Sequence, residues 1–343
     1  MAKVLEPKEF LELGKTIPMV DVRTSAEFEN GHIPGASNLP IFTNDERAVV
    51  GTKYKRAGKD SAVLLGLELV GPKLARFVRM AKKISPQKEI LIHCWRGGMR
   101  SGSMAWLFET AGFKVYLLKG GYKAYRGYIR EQFSQKSKVL VLGGMTGSGK
   151  TEVLHEMQKQ GAQVLDLEGV ANHKGSVFGA LGQEDQPSNE NFENELAKVW
   201  LDFDNDKPVW LEDESKSIGS VWINDALFER MRSAEVIKME LPKKERINRL
   251  VKEYACFERE VLAHMISKIE KRLGGLNVKK SYESLETNDF ATVADITLSY
   301  YDKAYNHGLE KREGQTIHNL ELEKDNPVEN ARLILEFYKN LEK

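Results

Sequence analysis

Short apolar runs alternate with stretches of helical spacing along this chain, the pattern of strands separated by helices in an α/β protein. Residues 17–22 form a first short apolar run, and Thr24 or Ser25 can cap a short helix through Phe28. Residues 43–60 are polar and basic and read as a surface excursion. Val63 to Ile84 has helical spacing, with Pro86 just beyond its end. The apolar run Ile90 to Ile92 ends at His93-Cys94; a loop with two glycines and two arginines follows. A helical pattern from Ser103 to Thr110 is then closed by Gly112, and a further strand is predicted at Val115 to Leu118. Residues 1–130 therefore read as one α/β domain.

A second α/β domain is predicted over residues 137–343. It opens with the buried strand Lys138 to Leu142, followed by strands at Gln163 to Leu167, Pro208 to Leu211 and Glu235 to Met239. Beyond that last strand the chain reads as helical to its end. The polar, Gly-rich stretch 173–188 is longer than a plain connection and reads as a binding loop. Between the domains, Lys119, Lys123, Arg126, Arg130, Lys136 and Lys138 interleave with Tyr122, Tyr125, Tyr128 and Phe133 at near-helical spacing. That face suits either tyrosine packing or contact with nucleic acid.

Composition narrows the classes. Of 343 residues 29% are charged and 41% apolar, which describes a soluble globular protein. No apolar run reaches the roughly 18 residues of a membrane span, and the mixed charges of the first twenty residues do not read as a signal peptide. Cys94 and Cys256, the two cysteines, make no disulfide framework and no four-cysteine zinc site, so a reducing cytoplasm is expected. Cys256 sits in a helical pattern without Gly or Arg neighbours and reads as structural. The net charge of +1 argues neither for nor against nucleic acid.

Two stretches carry chemistry. In Cys94-Trp95-Arg96-Gly97-Gly98-Met99-Arg100-Ser101 a thiol stands at the C-terminal edge of a strand, where open α/β sheets bind ligands. The glycines let backbone amides turn inward as an anion nest. The following helix N-terminus, Arg96 and Arg100 add positive charge, a field that favours the nucleophilic thiolate. The second stretch, Gly144-Met145-Thr146-Gly147-Ser148-Gly149-Lys150-Thr151, fits the G-x-x-x-x-G-K-[ST] phosphate loop between a strand and a helix. Gly144, Gly147 and Gly149 free amides to wrap a phosphate, Lys150 neutralises terminal phosphate charge, and the Thr151 hydroxyl can ligate Mg²⁺. Glu212 and Asp213, at the end of the strand Pro208 to Leu211, are candidates to hold that metal through water, with Thr151 and Asp213 as the metal pair.

Asp21-Val22-Arg23, Glu27-Phe28, Gly31-His32-Ile33-Pro34-Gly35-Ala36, the Cys94 loop and Leu118-Lys119-Gly120-Gly121-Tyr122 resemble, in order and spacing, a rhodanese domain across nearly all of residues 1–128. The resemblance implies a persulfide or perselenide held on Cys94. His93-Cys94 followed by Arg100-Ser101 is also similar to the signature of cysteine-dependent phosphatases, for which Asp45 and Asp60 would be nominal general acids. A rhodanese-like domain joined to a phosphate loop and to Trp210-Leu211-Glu212-Asp213-Glu214-Ser215 resembles the tRNA 2-selenouridine synthase family over the whole length. That resemblance implies replacement of sulfur by selenium in 2-thiouridine at the tRNA wobble position. It implies an S-geranylated intermediate made from geranyl diphosphate, selenophosphate as the selenium donor, and a selenophosphate-producing enzyme as a partner. Trp200, Phe203, Trp210 and Trp222 are candidates for a prenyl pocket, and Tyr122 to Arg130 for tRNA contact. Two other readings stay open: a phosphatase fused to a kinase-like domain, and a sulfur carrier with a regulatory nucleotide-binding module.

Overall fold

A computed structural model of the protein describes residues 2–134, 137–312 and 314–343. The chain clusters into two units: Met1–Phe133 with Ser188–Lys198, and Ser134–Pro187 with Val199–Lys343. Ser188–Lys198 thus counts with the first unit, although it lies within residues 137–343 of the sequence.

The first unit runs β1 (Lys3–Leu5), α1 (Pro7–Gly14), β2 (Met19–Asp21), α2 (Ser25–Asn30), β3 (Ser37–Asn38), α3 (Asn44–Val70), α4 (Leu74–Ile84), β4 (Glu89–His93), α5 (Met99–Thr110), β5 (Lys114–Leu118) and α6 (Gly121–Gln132). Its strands pair in parallel in the order β1-β5-β4-β2-β3. β4 is central, so Ile90, Leu91 and Ile92 are fully buried and Cys94 leaves the middle of the sheet's C-terminal edge. Thr24 caps α2 and forms a reciprocal capping box with Glu27.

Two expectations change in this unit. Residues 43–60, read as a surface excursion, do lie on the surface but form a helix from Asn44: Thr43 caps α3 through a capping box with Glu46, and Gly58 breaks the helix with φ 82°. The helix escapes periodicity because residues 52–60 are exposed on every side. The stretch proposed for tRNA contact is largely interior. On α6, Tyr122, Tyr125, Arg126 and Ile129 are buried. Arg126 donates to Glu193 and Asn194, and Arg130 also donates to Glu193. The pattern that reads as a nucleic-acid face is the surface on which Ser188–Lys198 packs. Lys136, part of the same reading, lies outside the described residues.

The second unit runs β6 (Val139–Gly144), α7 (Lys150–Lys159), β7 (Gln163–Leu165), α8 (Leu167–Ala171), the end of α9 (Asn189–Leu201, counted with the first unit through Lys198), β8 (Val209–Glu212), β9 (Ser217–Ile218), β10 (Val221–Trp222), α10 (Asp225–Ser233), β11 (Glu235–Glu240), α11 (Lys243–Tyr254), α12 (Arg259–Leu273), α13 (Gly275–Glu286), α14 (Phe290–Glu310), β12 (Ile317–Glu321) and α15 (Pro327–Leu341). A parallel sheet ordered β12-β11-β6-β8-β7 places β6 at its centre. The C-terminal region is mostly helical, but β12 corrects the expectation of helix to the end. It is a half-exposed edge strand without an apolar run, held by its ladder to β11. One core gathers Leu140, Leu142, Trp210 and Ile237 of the sheet against α7 and α15, and a second joins α12, α13 and α14. Among the described residues, no helix is long and apolar enough to cross a membrane.

Candidate functional site

Each unit carries one anion cradle at the C-terminal end of its central strand. In the first, Cys94 is 3% exposed, and its Sγ lies 3.2 Å from the Ser101 hydroxyl on α5. The loop's carbonyls are tied down from the other side: the amides of Tyr122 and Lys123, at the start of α6, donate to the carbonyls of Cys94 and Trp95 at 2.8 and 3.0 Å. The amides of residues 95–100 find no acceptor among the described residues, so they are the free donors of a nest. The start of the 12-residue α5 adds its dipole.

Close backbone approach makes this possible. Gly121 has φ 63°, and a Cβ there would stand 2.3 Å from the Cys94 carbonyl oxygen and 2.5 Å from the Gly97 nitrogen. Gly121→Ala combines overpacking against backbone with a left-handed conformation, an expected loss of roughly 2–5 kcal/mol. The denaturant midpoint checks it, and a shift of less than about 1 kcal/mol would show that the loop does not depend on this contact.

The two arginines differ. Arg96 is exposed and without an ion pair among the described residues. Arg100 is half-buried and paired with Glu27, 2.6 Å away. Burial works against its charge, but the hydrogen bond and attraction to Glu27 raise its pKa further. Its charge is therefore shared with Glu27 rather than given wholly to the loop, a partner 73 residues away that motif reading misses. Beneath the loop, Arg23 donates to Asp21 and to the Gly31 carbonyl, and its guanidinium lies 3.8 Å from the Tyr122 ring centre. His93 is fully buried and its ring nitrogens have no hydrogen-bond partner; burial outweighs the nearby Asp21 and pushes its pKa down, so it stays neutral. Asp45 and Asp60, the nominal phosphatase acids, are both exposed on α3. Cys256 corrects its structural reading: it is exposed at the turn after α11.

In the second unit, Gly144, Gly147 and Gly149 all have positive φ. The amides of Gly147, Gly149, Lys150 and Thr151 find no acceptor among the described residues. Lys150 Nζ rests 3.0 Å from the Gly144 carbonyl. The Gly144 amide donates to the Tyr305 hydroxyl at 2.9 Å, and Tyr305 in turn donates to Asp213 at 3.0 Å.

The acids predicted to hold metal are engaged elsewhere. Asp213 is bound by Arg232 and Arg312 as well as Tyr305. Glu212 is fully buried; one oxygen accepts the Leu167 amide at 3.0 Å and the other has no partner. Burial, with Asp166 and Glu168 nearby, pushes its pKa well up. The carboxylate at Thr151 is Glu168, which accepts the Thr151 hydroxyl at 2.6 Å. Burial and the adjacent Glu168 push Glu214 up to about 8. No cluster of three His, Cys, Asp or Glu that could hold a metal occurs among the described residues. One hydroxyl with one or two carboxylates suits Mg²⁺ where substrate phosphates complete the shell, and Thr151 with Glu168 fits that set better than Thr151 with Asp213.

The phosphate loop forms one wall of a cavity of about 540 Å³. Phe178, Tyr254, Leu262, Phe290, Val293 and Tyr301 form an apolar and aromatic wall in the same cavity. Lys174, Gly175 and Ser176 bring the Gly-rich stretch to it. None of the four aromatic residues proposed for a prenyl pocket lines it. Trp200 and Trp210 are buried, Trp210 against Tyr338, and Trp222 is exposed. Phe203 packs edge-on against Trp200.

Known proteins resemble the chain along these same divisions. Residues 6–128 match the rhodanese-like domain model, and residues 137–325 match the model of the tRNA 2-selenouridine synthase AAA domain. A tRNA 2-selenouridine synthase of Nitrosomonas europaea is 33% identical, over 86% of this chain and 90% of the relative. That of Shewanella woodyi is 36% identical over 88% and 90%, and that of Bdellovibrio bacteriovorus 34% over 90% and 94%. A phosphate-loop unit and a thiol-loop unit, matched in one order along nine-tenths of such relatives, make this chain a member of the tRNA 2-selenouridine synthase family.

Proposed function

We propose that this protein replaces the sulfur of 2-thiouridine with selenium at the wobble position of a tRNA, by way of S-geranyl-2-thiouridine. The observation that carries the reading is the second unit's cavity, where the phosphate loop and an apolar wall face one space. A nucleotide has no long apolar part for that wall, whereas geranyl diphosphate has both halves.

In the first half-reaction the thiocarbonyl sulfur attacks the allylic carbon of geranyl diphosphate; a C–S bond forms, the C–O bond breaks and diphosphate leaves. Lys150 and the loop amides are aimed at the charge that develops on the leaving diphosphate. Thr151 and Glu168 would hold Mg²⁺, which when bound neutralises diphosphate charge. In the second half-reaction the Cys94 thiolate takes the phosphoryl group of selenophosphate, so the P–Se bond breaks and hydroselenide is freed. Hydroselenide attacks the same ring carbon; a C–Se bond forms, the C–S bond breaks and geranylthiolate departs with the proton. Water returns the S-phosphocysteine to thiol and phosphate. Selenium enters and leaves at one oxidation level, so the exchange needs no oxidant. Cys94 and its nest hold the selenium-bearing anion.

Mass spectrometry of nucleosides from 2-thiouridine tRNA incubated with the protein, geranyl diphosphate and selenophosphate tests this. S-geranyl-2-thiouridine and 2-selenouridine are expected, and formation of neither overturns the reading. Hydrolysis of a generic aryl phosphate that is lost on Cys94→Ser would favour the phosphatase alternative. The apolar wall has its own test. Ala294→Trp, on α14 in the cavity lining, should raise the KM for geranyl diphosphate about 10- to 100-fold while leaving inorganic diphosphate affinity unchanged. An unchanged KM would place the prenyl chain elsewhere.

A further inference from the structure

Charge is distributed unevenly along the chain. Residues 44–88 hold eleven Lys and Arg against four Asp and Glu, a net of +7 in a chain whose total is +1. The segment is α3 and α4 of the first unit. Arg47, Lys53, Lys55, Arg56 and Lys59 on α3, and Arg76, Arg79, Lys82 and Lys83 on α4, are all exposed. None of these nine makes an ion pair among the described residues, whereas Lys73 and Glu46 clip the two helices together at 2.5 Å. The C-terminal helices make the comparison. Residues 243–286 also hold eleven Lys and Arg, but with seven Asp and Glu, and Lys243, Arg246 and Arg249 are paired with carboxylates.

An apolar groove of about 440 Å³ lies between these helices and α5. Leu67, Val70 and Leu74 line it from α3 and α4, and Met99, Met104 and Trp106 from α5. Met99 is the first residue of the helix that begins at the Cys94 loop. Trp106 and Tyr54 are 62% and 59% exposed. Unpaired cations suit phosphates, and exposed aromatic rings suit unstacked bases.

We propose that α3 and α4 form the RNA-binding face of this protein, their cations on the backbone of a single-stranded RNA loop whose bases lie toward Trp106 and Cys94. The proposal rests on the reading of a tRNA as substrate and adds where that RNA is held. Two quadruple variants of the full chain test it: Lys53→Ala with Lys55→Ala, Arg56→Ala and Lys59→Ala, and Lys268→Ala with Lys271→Ala, Arg272→Ala and Lys280→Ala on the C-terminal helices. All eight positions are exposed, so the fold is retained. The measurement is tRNA affinity between about 50 and 200 mM salt.

Each lost phosphate contact removes about 0.7 from the slope of log affinity against log salt. The α3 variant should therefore lose roughly 2–3 from the slope and about 100-fold in affinity at the lower salt, while the C-terminal variant stays near wild type. Equal affinity and slope for wild type and the α3 variant would overturn the proposal, as would a loss confined to the C-terminal variant. An affinity loss without a change in slope would also overturn it, because a contact with something other than phosphate would then be at work. Wild-type protein that binds no tRNA would instead overturn the substrate reading itself.

Discussion

Lys150→Ala should abolish formation of geranylated tRNA from 2-thiouridine tRNA while leaving selenium transfer to pre-geranylated tRNA intact. Lys150 is the cation that the phosphate loop itself supplies to the cavity, and its Nζ rests on the Gly144 carbonyl at the cradle's mouth. Removing a charge aimed at a departing diphosphate should cost on the order of 10²-fold or more in rate. The fold should survive, because the side chain's hydrogen bond is to one carbonyl of its own loop. Nucleoside analysis on both tRNA substrates decides it. If the variant fails equally on pre-geranylated tRNA, the phosphate loop serves both steps, and the division of labour is wrong.

Cys94→Ser should give the opposite result: geranylated tRNA accumulates and selenouridine does not form. The variant replaces sulfur by oxygen in a site where Ser101, the free amides of residues 95–100 and the start of α5 all remain. Anion affinity should thus persist while the reacting atom is gone. A hydroxyl is a far weaker nucleophile than a thiolate at neutral pH, so residual selenium incorporation should fall below detection. Selenouridine formation at the wild-type rate would show that the thiol is not part of the reaction.

Both cradles were legible in the sequence because each is local: a strand, a few glycines with a thiol or a lysine, and a helix within about twenty residues. What escaped reading was long-range or exposed. Asp213 looked like a metal holder because the arginines that occupy it lie 19 and 99 residues downstream. Glu168 has no motif of its own and is found only through the Thr151 hydroxyl. The apolar wall is built from three helices, α11, α12 and α14, and the loop at Phe178, which meet only in space. α3 was missed for the opposite reason: an exposed helix imposes no periodicity on its residues. The aromatic, basic stretch of α6 misled because buried tyrosines beside paired arginines spell the same letters as a nucleic-acid face.

The Tyr305 hydroxyl bond to Gly144 has a consequence for how the protein is made. The Cys94 loop closes on Tyr122, fewer than thirty residues downstream, so its backbone partners leave the ribosome almost with it. The phosphate loop must wait for a partner 161 residues further along the chain. At roughly 5–20 residues per second of synthesis, that delay is about 8 to 32 s. The nascent chain therefore carries the backbone partners of its thiol loop while its phosphate loop is still without the Tyr305 hydroxyl.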